Sequence, residues 1–178
     1  MTAPQSTNWF EMKTRGKWII AFFAVAIILM GIGAASPVNP TDARSTYDQL
    51  QKEAPYIDTV QGIFGNNFFY CLIMFAPFIG PLFGAFIFFN MGVVIAIIAI
   101  ARGLNAGVLF STLFLFPHTW LELLAYSFAM SQSVFLAMAI VRGRFKQELA
   151  RTCVIITVSA LILVLAAIVE VILITTSG

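Results

Sequence analysis

FGNNFFYCLIMFAPFIGPLFGAFIFFNMGVVIAIIAIA, residues Phe64 to Ala101, contains no charged side chain and one conspicuous interruption, Ala76-Pro77-Phe78-Ile79-Gly80-Pro81. About 36 residues of helix would measure roughly 54 Å against a hydrocarbon core of about 30 Å, so the stretch is too long for one straight membrane span. Each proline removes a backbone donor and disfavours helix in the residue before it, which makes the interruption a turn. The stretch therefore reads as a hairpin of two membrane helices, Asn67 to Ile79 and Leu82 to Ala101, the first of them short unless it begins near Val60.

The rest of the chain has the same character. Of 178 residues, 60% are hydrophobic and 10% charged, with 18 Phe, a balance that a water-soluble fold could not hide but that lipid-facing helices accept. Further apolar territories run from Trp18 to Ala35, Leu104 to Val141 and Thr152 to Thr175. Lys13, Arg15 and Lys17 followed by an apolar run ending in Gly33-Ala34-Ala35-Ser36 look like a signal peptide with a small-residue cleavage site; the reading taken is a retained first transmembrane helix. The formal charge of +2 is too small to suggest nucleic acid as a partner. Cys71 and Cys153 lie in apolar runs without metal-ligand or disulfide spacing and read as small core hydrophobes.

Charge sets the number of crossings, because Lys and Arg concentrate on the cytoplasmic side. The basic groups Lys13, Arg15, Lys17 and Arg142, Arg144, Lys146, Arg151 share a side only if an even number of crossings separates them. One long territory must then be a hairpin and the other a broken or re-entrant segment, with the break at Phe116-Pro117-His118; the mirrored assignment, with the hairpin after Arg102, obeys the same rule. The expected fold class is an all-α, polytopic transmembrane helical bundle of about five crossings. Residues 1–17 form a cytoplasmic segment, 18–178 a single membrane domain, and the C-terminus lies outside the cell membrane. Ser36 to Gln61 is an external connector with Tyr47, Leu50, Ala54 and Ile57 at helical spacing. No repeat suggests an inverted-repeat transporter.

Ionisable residues inside a span cost about 2.5–3.5 kcal/mol on insertion scales and need a partner or a purpose. Glu122 follows the sole histidine, His118, by one helical turn, and Glu170 lies near the end of the last helix at the same expected depth. His118, Glu122 and Glu170, with Asn90 as a further polar candidate, form the expected intramembrane cluster. Such a cluster can fix helix packing, relay protons or ions, or hold a metal, for which one His and two Glu are short of parts. Asn66 or Asn67 reads as a helix cap. Gly103 and Gly107 have the spacing of a helix-packing pair. Neither a Gly-x-Ser-x-Gly nor a His-Glu-x-x-His motif is present, and no cofactor or catalytic residue is indicated.

Asn66-Asn67, Asn90-Met91-Gly92 and His118-Thr119-Trp120-Leu121-Glu122-Leu123-Leu124-Ala125 resemble the stage II sporulation protein M family over roughly residues 60 to 175. Its H-G-x-x-E-L-x-A-like segment is carried here by His118, Glu122, Leu123 and Ala125. Thr119 stands where the family usually has Gly, Leu124 at a frequent Pro position, and Met91 intrudes into the Asn-Gly pair. The resemblance implies a polytopic membrane protein that in spore formers works with peptidoglycan-degrading enzymes during engulfment, and elsewhere a scaffold for an envelope complex. The expected function is accordingly a non-enzymatic scaffold or accessory subunit whose partners are lipid and other integral membrane proteins or further copies of itself. The alternative is a small transporter or channel with an intramembrane His/Glu pathway.

Overall fold

The computed structural model describes residues 7–57 and 59–177, with side chains over 13–52 and 59–176. Its elements are α1 (Thr7–Ala34), α2 (Pro40–Ile57), α3 (Val60–Met74), α4 (Gly80–Arg102), α5 (Ala106–Leu113), α6 (Pro117–Val141) and α7 (Phe145–Ser177), with no strand among the described residues. The chain is an all-α bundle. Four helices, within α1, α4, α6 and α7, are long and apolar enough to cross a membrane.

Local chemistry sets the boundaries. The Thr59 hydroxyl accepts the Gly62 N–H at 3.0 Å and starts α3 at Val60. Asn66 and Asn67 thus lie inside the helix, correcting the expectation that one of them caps it. At its 15 residues α3 measures about 22 Å, shorter than the roughly 30 Å hydrocarbon core. The turn after it spans Phe75 to Ile79, with Phe78 in the left-handed region at φ 68°. Ser133 on α6 donates to the Ala76 carbonyl there at 2.6 Å, so the turn is tied to the bundle. Pro81 sits in the first turn of α4, where its missing N–H costs nothing.

Gly103 ends α4 at φ 68°, and the Leu104 N–H returns to the Ala99 carbonyl at 2.8 Å, the pairing of a left-handed glycine cap. Asn105 then caps α5 through the Val108 N–H. Neither Gly103 nor Gly107 lets two helices approach: a Cβ at Gly103 would meet open space, and one at Gly107 would meet the Asn105 cap oxygen. The spacing expected to pack helices is instead a cap and the start of the next helix. Close approach falls on another pair. A Cβ on Gly33 of α1 would strike the Phe89 carbonyl of α4, and one on Gly92 would strike the Met30 carbonyl.

Contacts fix the directions of the passes. Asn67, Cys71 and Ala76 meet Glu122, Ala125 and Ser133 in order, so the chain through α3 runs parallel to α6. Arg15 meets both Gln132 and Glu148, which places the start of α1, the C-terminal half of α6 and the start of α7 at one end. The hairpin therefore precedes Arg102 and the broken segment follows it, as α5 and α6. The amphipathic α2 lies against α4, where Arg102 donates to the Tyr47 hydroxyl at 2.9 Å. The expected positions Ala54 and Ile57 on α2 lie outside the described side chains.

Ser127, Ser131 and Ser133 are buried with Ala125 and Ala129 on α6, the most enclosed of the spans. Small side chains there admit α1, α3, α4 and α7 around it. Cys71 is buried, whereas Cys153 is exposed on α7, so the core role expected of both holds for Cys71 alone.

Candidate functional site

Among the described residues, two networks of polar side chains join different helices inside the bundle. In the first, Asn67 on α3 donates to Glu122 on α6 at 2.6 Å. Glu170 on α7 lies within electrostatic reach of Glu122, and both lie within reach of Tyr126, one turn further along α6. Antiparallel α6 and α7 bring these carboxylates together from sequence positions that share a depth.

Helix α6 begins at Pro117, leaving His118 in its first turn, and the imidazole stacks on Phe116 at 5.7 Å and 22°. Its buried Nδ1 has no hydrogen-bond partner among the described residues, and Glu122 receives its donor from Asn67. The stack covers one face of the ring. The Asn90 amide donates to the Phe86 carbonyl of its own helix at 2.7 Å.

The second group lies outside the sequence expectations. Arg15 donates to Gln132 Oε1 at 2.9 Å and to Glu148 Oε1 at 2.7 Å. Gln132 Nε2 donates to the same Glu148 oxygen at 2.8 Å and to the Thr152 hydroxyl at 2.9 Å, and that hydroxyl donates to the Glu148 carbonyl. The Arg15 guanidinium also lies 4.1 Å over the Phe135 ring, and Arg151 approaches Glu148 at 3.6 Å. Gln132 is 1% exposed and Thr152 4% exposed, so this network joins α1, α6 and α7 in a nearly dry setting. Two signals could have found it. Gln132 is the sole amide between Pro117 and Val141, and Glu148 is the sole acid among the basic residues from Arg142 to Arg151.

Both groups connect helices by bonds between named side chains, which is chemistry that fixes packing. The family described as Stage II sporulation protein M matches residues 19–173, most of the chain. No curated protein and no solved structure gives a match.

Proposed function

We propose that this chain, which belongs to the stage II sporulation protein M family, works as a non-enzymatic membrane subunit that holds partner membrane proteins against the free face of α7. The observation that carries this reading is a stripe on α7. Val154, Val158, Leu161, Leu165, Ile168 and Ile172 are all exposed and recur at alternating steps of four and three residues. In lipid no hydrophobic force drives helices together, so association depends on packed knobs and polar bonds. A seam with this spacing presents knobs along one line. Polar groups that could otherwise serve a partner are engaged inside the bundle, in the bonds of Glu122 and Glu148.

The clustering of Lys13, Lys17, Arg142, Arg144 and Lys146 about the Arg15 end supports a cytoplasmic amino terminus and an outward end of α7. Partner contacts along α7 then span the membrane.

Photo-crosslinking in native membranes tests the reading. A photoreactive residue at Leu161 should give discrete protein adducts, and one at Phe86, exposed on α4, few or none. Absence of adducts from Leu161, together with a lone monomer in mild detergent, would remove the proposal.

A second reading rests on Glu122 and Glu170 lying within electrostatic reach of each other on neighbouring spans, since intramembrane carboxylates are the groups from which ion and proton relays are built. Its mark is an ion or proton flux that depends on Glu122.

A further inference from the structure

Beyond the bonds of Arg15, a cavity of about 460 Å³ opens between α1, α6 and α7 at the end that carries the basic residues. Arg15, Trp18, Arg142, Arg144, Glu148 and Arg151 line it. That volume lies within the roughly 300–1,000 Å³ typical of ligand sites. Four arginines face a single carboxylate, and the oxygens of that carboxylate already receive Arg15, Gln132 and Arg151. Arg142 and Arg144, which lie outside those bonds, carry the positive charge that meets an anion in the cavity.

The sequence builds this concavity locally. Gly143, at φ 68°, closes α6, and the Arg144 N–H returns to the Ala139 carbonyl at 2.8 Å. The reversal sets Arg142 and Arg144 on either side of the glycine and turns both to the cavity. Basic residues near a span end serve topology alone when they point into water; these converge on one hollow with Trp18, a residue suited to the headgroup level.

A second cavity of about 230 Å³ shares Arg15 with the first and continues over Ile19, Phe128, Ile155 and Val158. Ser131 and Gln132 complete its lining, and the surface it presents is mostly apolar. A charged hollow adjoining an apolar one, both between membrane helices, matches a phosphate and the chain esterified to it. Basic pockets between helices bind phospholipid headgroups by this chemistry, and planar guanidinium groups suit phosphate oxygens.

We propose that this paired cavity is a binding site for an anionic phospholipid, with Arg142 and Arg144 on the phosphate-bearing headgroup and Ile19, Phe128 and Ile155 along an acyl chain. The headgroup part of the site lies apart from the partner face on α7, whereas the apolar part shares Val158 with it.

The test is thermal unfolding and lipid titration of the full chain in mild detergent, with phosphatidylglycerol, phosphatidylcholine or inorganic phosphate added. Phosphatidylglycerol should raise the Tm by several degrees and bind saturably, phosphatidylcholine should do so far more weakly, and millimolar inorganic phosphate should have no effect. Joint R142A and R144A replacement should weaken phosphatidylglycerol binding by roughly tenfold or more. Both residues are exposed, so the lipid-free Tm should hold; the joint Lys replacements should restore part of the affinity. Equal response to the two lipids, or unchanged affinity in the double Ala variant at unchanged lipid-free Tm, would overturn the site. An equal shift with inorganic phosphate would overturn the lipid assignment.

Discussion

Glu148→Ala is expected to destabilise the bundle by about 3 kcal/mol, the lower end of the range for removing one partner from a buried ion pair. Glu148 is the point at which α1, α6 and α7 meet: one of its oxygens receives both Arg15 and Gln132, and the other faces Arg151. Without it the Arg15 guanidinium keeps Gln132 and the Phe135 face but loses its counter-charge in a setting where water reaches only a fifth of the side chain. That residual access to water is why the lower end applies. Arg151→Ala supplies the contrast, because Arg151 is half exposed and its pair with Glu148 is 3.6 Å long; a loss below about 1 kcal/mol is expected. Denaturant unfolding in mild detergent measures both. A Glu148→Ala protein within about 0.5 kcal/mol of the parent would show that the network does not hold the three helices together.

Gly92→Ala is expected to cost about 3 kcal/mol, the upper end for overpacking a core. Its Cβ would fall on the Met30 carbonyl, with the Gly33 Cα at 2.8 Å and the Ala34 nitrogen also at 2.8 Å. Backbone cannot rotate away as a side chain can, so α1 and α4 must separate along their whole contact. Gly33→Ala should act alike, its Cβ meeting the Phe89 carbonyl. Gly65, inside α3 with open space where a methyl group would project, gives the opposite sign. There Ala should stabilise by about 0.5–1 kcal/mol through helix propensity. Thermal unfolding of the three variants side by side separates close approach from a general intolerance of glycine replacement.

The passes are legible in the sequence because they depend on length, proline and charge. Pro77 and Pro81 mark the hairpin turn, Pro117 marks the start of α6, and the two basic groups fix the parity of crossings. Proline and charge act locally, so their effects survive any tertiary context. The partners of polar side chains are less legible, since they depend on which faces of different helices meet. Shared depth pairs Glu122 with Glu170, and the structure brings them within electrostatic reach. Depth alone would give them His118 as well. Phe116, adjacent through the break, stacks on that ring, a contact that depth does not foretell.

Gly103 and Gly107 carry a packing motif whose first glycine is needed at φ 68° to end α4. Gly33 and Gly92, which do pack, belong to different helices and form no motif within either. Arg15 shows the same limit from the other side. As one charge of a topogenic cluster, it gives no hint of its bonds to residues more than a hundred positions away.

That the intramembrane polar residues lock the bundle, and do not conduct, is tested most directly by flux. Purified protein reconstituted into sealed vesicles, with a proton gradient and separately a cation gradient imposed, should dissipate neither faster than protein-free vesicles. Glu122→Gln should leave that baseline unchanged, with Asn67 still able to bond the side-chain oxygen. A flux above the protein-free rate that Glu122→Gln abolishes at unchanged Tm would contradict the locking role and assign Glu122 to a conduction path.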